Sequence, residues 1–274
     1  MPEALVDIGV NLALDSFDHD RDVVVARARG AGVATLVITG TSVAASVAAE
    51  ELARTLGDEA FATAGIHPHH ASGFDAGAAS QLRDLAPDPR IVAVGECGLD
   101  YHRNYSAPQD QRRAFAGQLE IAVATGLPVF LHERDAHTDF AAMLREYRPQ
   151  LAGGVAHCFT GSPAEIEAYL ELGLYVGITG WIADERRADA LRDAVRRLPL
   201  DRVLVETDAP YLLPRTLTPK PSSRRNEPGF LPEVVRELAR WMQQPVDAVA
   251  AASTRNARAL FRLDAAAGRV STPA

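Results

Sequence analysis

The sequence predicts an α/β fold, a single (β/α)8 TIM barrel, and three observations predict it. Short apolar runs rich in β-branched residues recur about eight times along 274 residues, or about 34 residues per unit, as a barrel of this kind requires. Stretches rich in Ala, Arg, Leu and Glu with helical periodicity separate the runs. Polar residues sit at the ends of the runs: His67 closes AGIHP, Glu96 closes VAVGE, His132 closes PVFLH, His157 closes GGVAH and Asp208 follows VLVET. Parallel strands covered on both faces read as near-continuous apolar runs. A closed barrel brings their ends to one rim, which an open doubly wound sheet does not.

Taken in order, strands are expected at 4–12, 34–39, 61–67, 91–98, 128–132, 154–159, 175–179 and 203–208. The helical stretches DHDRDVVVARARGAG and PQDQRRAFAGQLEIAVATG both end in Gly, a common residue just past a helix C-terminus. Ser106-Ala107-Pro108 and Ser162-Pro163 read as helix starts. One barrel domain is expected over 1–264, with a frayed tail over 265–274. The stretch from Tyr211 to Pro228, YLLPRTLTPKPSSRRNEP, is rich in proline and reads as a long loop; such loops in compact domains are usually functional.

Composition narrows the function. Net charge is -8, which argues against broad coating of nucleic acid but leaves room for local recognition of its ends. No apolar run reaches the length of a membrane span, and the N-terminus lacks a basic leader. The cytoplasm is the expected compartment and a monomer the default. The two cysteines, Cys97 and Cys158, each follow a candidate ligand. Alternation along a strand would turn both thiols outward beneath the helices, as packing residues.

One carboxylate and two imidazoles, Glu96, His132 and His157, form a common first set of ligands for a divalent cation, with positions left for water and substrate. Asp208 would take a proton from an activated water or add a further ligand; capping the next turn is its plainer role. Glu206 shares its parity, but Asp208 lies nearer the rim and is preferred. His67 would assist at a phosphate oxygen, while His69 and His70 read as solvent-facing. Arg134 offers a planar fork for phosphate, or pairs with Glu133 or Asp135; Asp135 itself looks like a helix N-cap. His102 and Arg103 are weaker candidates for phosphate, and Tyr101 for a base. Arg215, Lys220, Arg224 and Arg225 make the long loop the densest basic stretch outside helices, suited to a polyanion or merely solvated. A metal-dependent hydrolase is the reading these residues support.

The stretches VDIGVNL, TAGIHPHH, VAVGECGLDYHRNYS, PVFLHERDAH, AHCFTG, GITGWIADERR, VETDAPYLLPR and LTPKPSSRRNEP resemble the TatD-type metal-dependent deoxyribonucleases nearly end to end. The resemblance implies an amidohydrolase-like barrel and a Mg²⁺-dependent 3′-to-5′ exonuclease on single-stranded DNA and RNA, associated with DNA repair, with Mn²⁺ or Zn²⁺ as substitutes in vitro. It implies Glu96, His132 and His157 as metal ligands, Asp208 as the carboxylate after the last strand, and His67 near the substrate phosphate. One departure stands out. Much of the family opens on Asp-x-His-x-His, whereas this chain has Asp7-Ile8-Gly9-Val10-Asn11, which weakens or removes a second metal site on the first strand. Two alternatives remain at this stage: a small-molecule amidase, lactonase or deacylase on the same barrel, and a barrel that lost its chemistry.

Overall fold

A computed structural model describes residues 4–270. Eight parallel strands run in the order β1 to β8: β1 Leu5–Val10, β2 Val33–Ile38, β3 Ala60–Ala64, β4 Ile91–Asp100, β5 Val129–Arg134, β6 Gly154–Ala156, β7 Tyr175–Ile178 and β8 Val203–Val205. Helices follow: α1 Arg21–Gly30, α2 Val43–Leu56, α3 Ala76–Leu85, α4 Pro108–Thr125, α5 His137–Tyr147, α6 Pro163–Glu171 and α7 Asp189–Val195. After β8 come α8 Leu231–Met242, α9 Val246–Phe261 and α10 Leu263–Val270. The barrel closes just beyond the strand ends. The Asp208 N–H donates to the Gly9 carbonyl and the Asn11 N–H to the Ala209 carbonyl, both at 2.8 Å. Among the described residues no helix is long and apolar enough to cross a membrane.

Alternation sorts the core into two layers. Val37, Phe61, Val92, Phe130, Val155 and Leu204 fill the barrel interior, while Leu36, Ile38, Leu99 and Leu131 pack under the helices; on β1, where the register shifts between Asp7 and Val10, Val6 and Ile8 join the first layer and Val10 the second. Burying a side chain such as Phe130 stabilises the fold by about 2–3 kcal/mol. The helix starts expected from sequence are present. Pro108 opens α4 behind Ala107, Gly126 ends it in the left-handed region at φ 70°, and Ser162 and Glu165 form a reciprocal capping box on α6.

Three expectations are corrected. The tail expected to fray from 265 is helical through Val270 as α10. Leu263 and Ala266 are buried with Phe261 against the barrel interior, so this helix plugs the end opposite the strand C-termini; residues 271–274 lie outside the described ones. Cys97 does pack under the helices, but Cys158 does not. Strand β6 stops at Ala156, Cys158 turns at φ 46°, and alternation no longer governs where its side chain points. Asp135 is not an N-cap either. Ala136 holds that position without a side-chain bond, and Asp135 pairs with His102 Nδ1 at 2.8 Å.

Asp7 joins β1 to the segment after β8. Its carboxylate accepts from the Thr207 N–H at 2.9 Å and the Thr207 hydroxyl at 2.5 Å. It is fully buried, and burial pushes its carboxyl up from 3.8 to about 7, against the Thr207 hydrogen bonds. The folded chain therefore holds this proton more tightly than the unfolded one. The contribution of Asp7 to stability falls as pH rises from about 4 to about 7. Asp7→Asn should flatten that fall. Denaturation midpoints of the two proteins across this window check it; curves that stay parallel would contradict it.

Candidate metal centre

The C-terminal rim gathers the polar residues of several strands around one oxygen. Glu96, within β4, directs Oε1 at three imidazoles: His157 Nε2 at 2.8 Å, His132 Nδ1 at 2.9 Å and His67 Nε2 at 3.2 Å. Neighbouring ligand atoms around a cation with bonds of about 2.1 Å lie about 3 Å apart, so this spacing matches the edges of a coordination polyhedron. His132 Nε2 is buried with no hydrogen-bond partner, and one ligand atom from each of His67, Glu96 and His132 falls within a mutual 4.8 Å. His132 Nε2 does face a carboxylate, Asp100 Oδ2 at 3.6 Å, and an imidazole-rich set with one carboxylate at its centre fits a divalent cation.

The electrostatics agree. Burial alone would raise the Glu96 carboxyl, yet His157 and His67 hold it well below its ordinary range. Burial alone would lower His157, but Glu96 and Glu206 raise it well above. Burial pushes His67 down to about 4, which leaves it neutral at pH 7. Its Nδ1 accepts from the His69 N–H at 3.0 Å, so the ring proton resides on Nε2, facing Glu96.

Glu206, less favoured by sequence than Asp208, has a definite place in the structure. It is fully buried. Oε2 meets His157 Nδ1 at 3.2 Å and Oε1 accepts from the Cys158 N–H at 2.5 Å. A carboxylate behind a ligating imidazole fixes its tautomer and orientation, and the Phe130 ring, 4.5 Å from that of His157, backs it from within the barrel. Two glycines make the room. A Cβ at Gly9 would lie 2.3 Å from Glu206 Oε2, and one at Gly177 2.5 Å from Oε1. The space that a side chain at position 9 would fill is therefore taken by the Glu206 carboxylate. Gly9→Ala should cost about 1–3 kcal/mol through overpacking and lower activity by displacing His157. Thermal melts and rates on the purified variant check this; a variant as stable and active as the parent would contradict it.

Asp208 lies at φ 52° beyond β8, in the same cleft, and its Oδ1 accepts from Asn11 Nδ2 at 2.9 Å. Asn11 thus orients this carboxylate. Burial pushes Asp208 up to about 7, with Glu96 and Glu206 adding to the rise and His157 opposing it. The cleft, about 570 Å³, also holds Arg103, Arg134 and Tyr211. Arg134 carries no ion pair among the described residues, because Glu133 is taken up by the Tyr169 hydroxyl and the Ala136 N–H.

Other expectations fare differently. His69 is not solvent-facing: Pro68 starts a 3-10 turn that swings it back, and its Nε2 lies 2.7 Å from Asp100 Oδ2. Asp100, absent from the sequence reading, lines the cleft, and GLDY at the end of a long apolar run was its signal. Tyr101 is held by Asp139 and Arg112 rather than presented to a base. Arg225 is caged by Asp20, Glu227 and the Ser16 carbonyl and lines neither cleft. It anchors the long loop to the loop before α1. Arg215 pairs with Glu185. Lys220 and Arg224 have no ion pair among the described residues, and with Arg215 they line a second cleft beside the first.

Comparison with known proteins places the chain in a family. The profile of TatD-related DNases matches residues 6–262. The chain belongs to that family. The chain is 52% identical over 259 residues to the 3′-5′ ssDNA/RNA exonuclease TatD of Pantoea sp. strain At-9b, covering 94% of this chain and all of that one. It is 51% identical to the protein of the same name from Musicola paradisiaca, covering 94% and 98%. Among solved structures, YJJV, a TatD homolog from Escherichia coli K12, superposes with a TM-score of 0.87 at 28% identity, over 96% of this chain and 99% of that one. The phosphotriesterase homology protein from Escherichia coli reaches a TM-score of 0.67 at 15% identity, over 95% of this chain and 99% of that one, a likeness of fold.

Proposed function

We propose that this chain is a metal-dependent 3′-to-5′ exonuclease on single-stranded DNA and RNA, acting as a monomer in the cytoplasm with a task in DNA repair, and that Mg²⁺ is its native cation. The convergence of His67, His132 and His157 on the Glu96 carboxylate carries the metal-dependent part. The TatD exonucleases at 51–52% identity support the substrate and polarity.

Glu96, His132 and His157 would hold the cation, with Glu206 steering His157. A cation bound there supplies a Lewis acid for a phosphate oxygen and eases loss of a proton from water. Asp208, oriented by Asn11, accepts that proton. His67 donates from Nε2 to a non-bridging phosphate oxygen as charge builds in the transition state. Arg134, free of carboxylates, grips the same phosphate. Lys220 and Arg224 attract the strand. Contacts of this kind read backbone rather than bases, so weak sequence preference and strong salt dependence follow.

The test uses single-stranded oligonucleotides labelled at the 3′ or the 5′ end, incubated with Mg²⁺, Mn²⁺, Zn²⁺ or EDTA. The expected result is immediate release of the 3′ label, a descending ladder from the 5′ label, and no reaction in EDTA. Internal cuts, or loss starting at the 5′ end, would overturn the polarity. No cleavage with any cation would overturn the function.

A further inference from the structure

Beside the metal cleft lies a second one of about 720 Å³, walled by residues 180–187 after β7 and by the proline-rich loop after β8. The two clefts share Trp181, Arg187 and Leu212, so they adjoin along this ridge. The ridge is built to hold its shape. Asp184 binds Arg187 through Nε at 3.2 Å and Nη2 at 2.9 Å, and the guanidinium sits over the Trp181 ring, 4.3 Å from its centroid. Arg134, from the metal cleft, approaches the same ring at 5.8 Å. The second cleft is cationic: Arg186, Arg187, Arg215, Lys220 and Arg224 face one carboxylate, Asp184. Asp184 and Glu185 occupy the first three, leaving Lys220 and Arg224 without ion pairs among the described residues. Planar groups beside unpaired cations suit a single strand, whose bases stack while its phosphates are neutralised.

We propose that the second cleft is the subsite for the nucleotides immediately 5′ to the scissile bond, with the Trp181–Arg187 ridge as the stacking step between the two clefts. This rests on the exonuclease reading above. A single strand entering by its 3′ end leaves one phosphodiester at the metal centre and runs back over the ridge into the cationic loop. The ridge supplies stacking and the loop supplies charge, so affinity grows with the length of strand on the 5′ side.

The test compares kcat/KM on a dinucleotide and on a tetranucleotide, in the parent, Trp181→Ala and Lys220→Ala/Arg224→Ala. The parent should prefer the tetranucleotide by about tenfold or more, and each variant should lose at least fivefold more on the tetranucleotide than on the dinucleotide. A second readout needs no turnover. The chain has two tryptophans, so in a Trp241→Phe background the fluorescence of Trp181 reports alone. Oligo(dT) in EDTA should quench it. Removing both cations should reduce the salt slope of oligo(dT) binding by about 1.4, at about 0.7 per phosphate contact. Equal losses at both lengths, or oligo(dT) binding without quenching, would overturn the subsite. Absence of any cleavage or binding by the parent would instead overturn the exonuclease reading.

Discussion

Glu96→Gln and His157→Ala should each lower metal-dependent cleavage of single-stranded DNA by more than a hundredfold. Groups that merely steer a ligating imidazole are worth about 10–100-fold in affinity or activity, and these two side chains meet the cation directly in our account. Glu96 is also the oxygen on which His67, His132 and His157 converge. Turning Oε1 or its partner into an amide removes the negative charge that balances the cation and leaves three imidazoles without a common acceptor. His157→Ala removes a ring packed on Phe130 and takes the partner from Glu206 Oε2, leaving that fully buried carboxylate only the Cys158 N–H on Oε1, so it should also cost stability. Circular dichroism at the assay temperature separates the two effects. A folded Glu96→Gln protein with near-parental rates would contradict the site.

Asp208→Asn should cost about a hundredfold or more in kcat, the range expected when a positioned general base is lost, while cation affinity changes far less. The isosteric amide keeps the shape and can keep a hydrogen bond with Asn11 after rotation, but it cannot take a proton. Rates measured at saturating metal, beside a metal titration, make the comparison. A loss of cation affinity as large as the loss of rate would make Asp208 a ligand rather than the base.

Much of this was legible in the chain, and the reasons differ by residue. The strand–helix alternation is written in period and length, so all eight strands lie near their expected positions. Boundaries shift because the rim residues stand where strands diverge: His67 lies past Ala64, His157 past Ala156 and Asp208 past Val205. Glu96, His132 and His157 meet because a closed barrel aligns strand ends regardless of the helices between them. Glu206 was harder. Parity allows both Glu206 and Asp208 to face inward, and what separates them is space vacated at Gly9 and Gly177, a fact of three dimensions. His69 was hidden by the turn that Pro68 begins. Arg225 was hidden by its partner: the sign of a loop residue says nothing of whom it faces, and Asp20 lies 205 positions away. The helix after Phe261 looked like a tail because it is short, yet Leu263 and Ala266, one turn apart, have the spacing that plugs the barrel.

The most direct measurement is anomalous diffraction from crystals soaked in Mn²⁺. The account predicts one strong peak within coordination distance of Glu96, His132 and His157, lost in His157→Ala crystals. A peak elsewhere on the rim, or none at saturating Mn²⁺, would contradict it.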